Sequence, residues 1–218
     1  MLINSIFPFG LSVDWQAPDY FAPLSPAMQD WLLDTGSLTE RLQSLCSSFE
    51  VEVLGQKSLP LEEAERAAIP GFESQRWQIR EVILRGDGKP WVFARSVLPH
   101  SLCEQKWADL GNQPLGQRIF NDTSFIRSNF DIGKLSRHPL THKIFEHKDL
   151  QNTSTGTKKA DSFWARRSIF SYEGDAPSDG QSNYENNTLS RTILVAEAFL
   201  PDCPCYKKQT QKSSELEV

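Results

Sequence analysis

The residues whose types and spacing point most directly to chemistry are Arg80, Arg95 and Glu197. Both arginines lie in residues 76–99, RWQIREVILRGDGKPWVFARSVLP, where two apolar runs flank Gly86-Asp87-Gly88-Lys89. An Asp-Gly pair between such runs predicts a β-hairpin on a type I′ turn, because both central residues need positive φ. With Asp87 and Gly88 as the loop, Gly86 faces Lys89, Leu84 faces Trp91, Val82 faces Phe93 and Arg80 faces Arg95. Opposite residues share a face, with Cβ atoms about 5 Å apart. Two arginines then stand side by side among Val82, Leu84, Trp91, Phe93 and Val97. Opposed like charges destabilise a sheet, and a buried unpaired charge costs several kcal/mol, so something must compensate. The guanidinium fork suits carboxylates and phosphates. One reading is a pocket for a small anion, a dicarboxylate included. The other is a pair of arginines satisfied by protein carboxylates or snorkelling off a sheet edge. A one-residue shift in the loop would separate the two onto opposite faces.

Glu197 lies in TILVAEAFL, residues 192–200, the most strand-like run of the chain. Alternation puts it on the face of Ile193, Val195 and Phe199, where a carboxylate must be paired, hydrogen-bonded or held neutral. The arginine pair is its expected partner. Two helix starts add free amide donors. Ser37-Leu38-Thr39-Glu40 has the capping-box pattern, with Leu38 in the first turn. Pro114-Leu115-Gly116 opens another helix, with Leu115 and Gly116 in its first turn and Gly116 allowing close approach to the backbone. An ordinary capped helix explains each start equally well.

The elements that position these residues follow from periodicity. Residues 1–25 form an irregular, Pro-rich lead-in, and a short helix follows Ser25 and carries Met28, Trp31 and Leu32 inward. The second helix runs from Ser37 to about Cys46, and a strand covers residues 49–54. Residues 55–75 are polar and partly helical, and residues 100–112 read as a short helix and turn. A single strand is expected over residues 125–132, with Arg127, Asn129 and Asp131 on one side and Ile126, Phe130 and Ile132 on the other. Trp164 to Phe170 begins another strand. The total is five or six strands, mostly antiparallel, with a few short helices packed on one side of the sheet: an α+β domain. One domain over residues 1–206 is expected, with loop insertions at 146–162 and 173–190 and a disordered tail at 207–218.

At 218 residues the chain suffices for one domain with a sizeable core. A net charge of -5 argues against a general nucleic-acid surface, and no apolar run approaches the roughly 20 residues of a membrane span. No secretory signal is visible. Cys46, Cys103, Cys203 and Cys205 lack C-x-x-C pairing and zinc-like spacing; the Cys203-Pro-Cys205 pair reads as incidental thiols beside a flexible tail. These features point to a soluble protein of the reducing cytoplasm; a monomer is the expectation, though none of these features sets the oligomeric state. His138, His142 and His147 have no evident fourth ligand, so no metal site is expected.

The ordered set of short motifs resembles chorismate pyruvate-lyase, the family of the first committed step of ubiquinone synthesis. The matching pieces are Trp31-Leu32-Leu33 with Ser37-Leu38-Thr39, Arg80-Glu81, and Asp87-Gly88-Lys89-Pro90-Trp91. They continue with Ala94 to Pro99, Leu110-Gly111, Pro114-Leu115-Gly116, Trp164 to Ser168, and Glu197 to Pro201. The chain departs from the family in an expanded segment around 136–162, the 173–190 loop, a C-terminal extension, and Leu38 where Met is common. The resemblance implies cleavage of chorismate to 4-hydroxybenzoate and pyruvate without cofactor or metal, by a single antiparallel sheet with the ligand buried under helical flaps. It assigns Arg80 to a substrate carboxylate, Leu38 and Leu115 to flap contacts, Glu197 to the oxygen-bearing end of the ring, and Arg95 to the same region. The competing function is a non-catalytic small-anion sensor of the same fold, as in the effector domains of transcription regulators. The first 30 residues contain no Lys or Arg, so they hold no DNA-binding element.

Overall fold

The computed structural model describes residues 7–69, 71–74, 76–105, 107, 111, 113–136, 162–172 and 192–207. Among these, seven strands form one antiparallel sheet: β1 (Phe49–Ser58), β2 (Trp77–Gly86), β3 (Lys89–Pro99), β4 (Phe125–Arg127), β5 (Asp131–Ser136), β6 (Ser162–Tyr172) and β7 (Thr192–Phe199). The order is β1-β2-β3-β7-β6-β4, with β5 also paired to β6. Five short helices accompany it: α1 (Pro26–Leu32), α2 (Leu38–Gln43), α3 (Glu63–Ala68), α4 (His100–Gln105) and α5 (Leu115–Phe120). No helix among the described residues is long and apolar enough to cross a membrane.

The β2–β3 hairpin turns at Asp87 and Gly88, whose φ values of 48° and 75° are those a type I′ turn demands. Its register then departs from the simple expectation. Gly86 opposes Lys89 and Arg85 opposes Pro90, but Leu84 opposes Val92, so Trp91 is an extra residue on β3. Two local causes favour this bulge. Pro90 has no amide to give the ladder. The Trp91 ring also lies across Gly86, where a Cβ would come within 2.2 Å of its carbons. Beyond the bulge the facing shifts by one: Glu81 opposes Arg95 and Arg80 opposes Ser96. A shift of one residue reverses which face each side chain takes. Arg80 and Arg95 therefore lie on opposite faces, not side by side.

Both faces of the sheet are covered: α1, α2, α4 and α5 pack on one, and the lead-in and α3 on the other. One face carries Val82, Leu84, Val92 and Ala94 beneath Met28, Trp31 and Leu32 of α1 and Leu38 and Leu42 of α2. Farther along this face, Leu98, Phe170 and Ile193 pack with Cys103 of α4 and Leu115 and Ile119 of α5. The other face carries Ile79, Ile83, Phe93, Val97, Leu194, Ala196 and Ala198. It is sealed by Phe9, Leu11 and Val13 of the lead-in and by Leu61 and Ile69, which flank α3. The described part of the lead-in therefore supplies core. Cys203 and Cys205 are likewise buried in the core under α1 and α2, rather than loose beside a tail.

The second face also holds Arg95, 2% exposed. Its Nε donates to Glu65 Oε1 (2.7 Å), its Nη1 to Glu81 Oε1 (2.8 Å), and its Nη2 lies 3.2 Å from Glu62 Oε1. Burial alone would depress the guanidinium pKa; the hydrogen bonds and charges of Glu65, Glu62 and Glu81 outweigh it and raise the pKa. Glu81 in turn accepts from the amides of Phe9 (2.8 Å) and Gly10 (2.9 Å), which ties the lead-in to the sheet.

Candidate active site

Alternation along β2, β3, β7 and β6 brings two adjacent rows of side chains onto the first face. One row runs Val82, Ala94, Glu197, Arg166 across the four strands; the next runs Arg80, Ser96, Val195, Ser168. Arg80 and Glu197 are thus two strands and one row apart, roughly 12 Å between Cα atoms at ordinary sheet spacings. The side chains between them, Ala94 and Ser96, are small, so the floor there is open. The roof consists of the first turns of α2 and α5. Ser37 caps α2, its Oγ accepting from the Glu40 amide at 3.3 Å, which presents Leu38 and Thr39 to the cavity. Pro114 precedes α5 and presents Leu115 and Gly116. The cavity holds about 660 Å³ between its walls, part of it continuous with solvent.

The cavity walls are largely apolar, and the charged groups among them are mainly cationic. Arg80, Arg127 and Arg166 against Glu197 leave the lining with a net charge of +2. Arg80 is 3% exposed. It donates to Gln56 Oε1 (2.9 Å) and to the carbonyls of Gly111 (2.8 Å) and Gln113 (3.3 Å), all neutral acceptors. It has no carboxylate partner among the described residues. Burial lowers its pKa from the ordinary arginine value. Burial also pushes the thiol of Cys103, whose side chain feels the Arg80 charge, up to about 11.

Arg166 is the partner of Glu197: Nε donates to Glu197 Oε2 at 2.7 Å. Its Nη1 donates to the carbonyls of Trp31 and Asp34, both at 3.0 Å, and its guanidinium lies 4.6 Å from the centre of the Phe130 ring. Glu197 Oε1 has no partner among the described residues. Arg127 of β4 also reaches the cavity, its guanidinium 4.6 Å from the centre of the Phe130 ring and its Nη2 donating to the Thr35 carbonyl. Burial, reinforced by the Arg166 charge, lowers its pKa.

Of the residues singled out from sequence, the structure gathers Leu38, Arg80, Leu115 and Glu197 around this one cavity. Arg95 is a correction: the Trp91 bulge turns it to the opposite face, where three glutamates hold it. The reading of surplus arginines satisfied by protein carboxylates describes Arg95, whereas Arg80 lines the cavity with neutral acceptors around it. Sequence reasoning missed Arg127 and Arg166 as site residues. Arg166 could have been found, since alternation along β6 puts it with Ser168 and Phe170 on the cavity face. For Arg127, alternation misleads. The expected strand breaks after Arg127, where Ser128 donates its amide to the Ile169 carbonyl, and Phe130 comes round to the same cavity. No cluster of three or more His, Cys, Asp or Glu among the described residues is placed to hold a metal. His138, His142 and His147 lie outside those residues.

Comparison with known proteins is consistent along the chain. Residues 11–177 match the chorismate lyase family. A probable chorismate pyruvate-lyase from Pseudoalteromonas atlantica is 35% identical over 209 residues, 94% of this chain and 95% of the relative. Others from Shewanella amazonensis and Shewanella loihica are 36% and 34% identical, covering 92% and 89% of this chain and 95% and 91% of theirs. Among solved structures, a GntR-family transcriptional regulator from Enterococcus faecalis V583 aligns with a TM-score of 0.43 at 14% identity, over 70% of this chain and 89% of that one. At that score it bears on neither fold nor function. Family match and full-length identity agree: the chain belongs to the chorismate lyase family.

Proposed function

We propose that this protein is a chorismate pyruvate-lyase that binds chorismate in the cavity of Arg80 and Glu197 and releases 4-hydroxybenzoate and pyruvate. The observation that carries the reading is the cavity's charge: +2 on a largely apolar lining, with Arg80 buried and without a carboxylate partner among the described residues. Such a lining suits a small dianion with a carbocyclic body. Aromatisation needs the C3–O ether bond to break and the C4 proton to leave. The departing enolpyruvate takes up a proton at its methylene to become pyruvate, so atoms balance without redox change or cofactor. Arg80 holds the ring carboxylate. Glu197, fixed through Oε2 by Arg166, accepts a hydrogen bond from the 4-hydroxyl through Oε1. Leu38 and Leu115 close over the ring and exclude water. The protein's task is orientation in a dry cavity, since the gain in aromaticity supplies the driving force. The enzyme acts as a cytoplasmic monomer at the start of ubiquinone synthesis.

The test is turnover of chorismate by purified protein, read as 4-hydroxybenzoate by chromatography. Arg80→Ala should lower kcat/KM and the affinity for 4-hydroxybenzoate about 100-fold, as loss of a buried charge-assisted contact does. Near-normal kinetics in that variant refute the assignment of Arg80. Binding of chorismate without cleavage by the wild-type protein refutes the lyase and favours a sensor.

A further inference from the structure

Three guanidiniums line the cavity, and among the described residues only one is matched by a protein carboxylate. Arg166 belongs to Glu197. Arg80, at the far end of the floor, meets one ligand carboxylate in the function proposed above. Arg127 remains, and its surroundings are unlike those of a structural arginine. Its guanidinium sits among three phenylalanine rings, 4.6 Å from the centre of Phe130, 5.2 Å from Phe120 and 5.9 Å from Phe170. Its hydrogen bond runs to the Thr35 carbonyl, and it has no ion pair among the described residues. The Arg166 charge repels it, while Glu197 and Asp34 attract it from beyond contact. Aromatic faces stabilise a cation without neutralising it, so the charge stays available to an anion.

We infer that Arg127 recognises the second carboxylate of the substrate, on the enolpyruvyl arm, and so distinguishes substrate from product. This rests on the chorismate reading. Arg80 on β2 and Arg127 on β4 stand four strand spacings apart, roughly 19 Å of sheet, and both line the cavity. Glu197 on β7 lies between them. A ligand with carboxylates at both ends and an oxygen in the middle meets all three. 4-Hydroxybenzoate has one carboxylate, satisfies Arg80 and Glu197, and leaves Arg127 without a partner. Substrate affinity should therefore depend on Arg127 while product affinity does not.

The same guanidinium also ties down the loop before α2 through Thr35. A purely structural role would weaken substrate and product alike, and the test separates the two. Arg127→Gln and Arg127→Lys are compared with wild type for chorismate KM and kcat and for the Kd of 4-hydroxybenzoate. Arg127→Gln should raise the chorismate KM about 100-fold, with Arg127→Lys in between, from loss of one charge-assisted contact. The 4-hydroxybenzoate Kd should stay within about threefold of wild type, well inside what one lost charged contact would cause. An equal loss for both ligands, or no loss for chorismate, overturns the inference. If the wild-type protein binds chorismate but leaves it intact, the lyase reading falls on its own. The same ratio, measured as direct binding, then decides the role of Arg127.

Discussion

Replacing Arg95 by Met should loosen the fold without altering the cavity. Arg95 is buried on the face opposite the site and contacts three glutamates at 2.7 to 3.2 Å. Removing one partner of a buried ion pair costs about 3–5 kcal/mol, because the other is left as an uncompensated charge. Here the cost does not multiply across three carboxylates. Glu81 keeps the amides of Phe9 and Gly10, Glu65 keeps the amide of Glu62, and Glu62 is the most exposed of the three. A loss of about 4 kcal/mol, at a urea m-value of about 2 kcal/mol/M, lowers the unfolding midpoint by about 2 M. For a chain of this size it lowers Tm by roughly 8–16 °C. The assay is urea unfolding followed by tryptophan fluorescence, with chorismate turnover measured well below the transition. Unchanged stability together with a large fall in turnover would refute the division of the two arginines between the faces.

Two further outcomes follow from the packing. Gly86→Ala places a Cβ within 2.2 Å of the Trp91 ring, and overpacking of this kind costs about 1–3 kcal/mol, readable as a lower urea midpoint. Alkylation of the native protein at pH 8, followed by mass spectrometry, should modify Cys46 first. Cys103 should stay protected, because it is buried and its thiol ionises only near pH 11.

Local signals in the sequence are carried faithfully into the structure. The Asp87-Gly88 turn, the Ser37 cap and the alternation that aims Glu197 inward each depend on a few neighbouring residues, and each is found. What could not be read depends on groups distant in sequence. The bulge at Trp91 needs Gly86 across the hairpin to leave room for its ring, and that single extra residue decides which arginine lines the cavity. The partner expected for Glu197 was the pair Arg80 and Arg95, and neither holds it; Arg166 does. It comes from β6, because β7 pairs with β6 as well as with β3. The covering of the second face does have a local signal: Phe7, Phe9, Leu11, Val13 and Trp15 alternate with period two, along a segment that is not itself a strand.

The carbonyls around the end of α1 have a consequence for how the ligand arrives. Arg166 and Arg127 are steadied by the backbone oxygens of Trp31, Asp34 and Thr35, which lend partial negative charge and leave the formal charge of the cavity intact. The chain as a whole carries -5. An approaching dianion therefore meets repulsion at long range and attraction only near the mouth. Physiological salt screens exposed charges beyond about 8 Å and buried ones much less. Ionic strength then suppresses the repulsive outer field more than the attractive inner one. Capture should tolerate salt, unlike association in enzymes whose whole surface draws the substrate in.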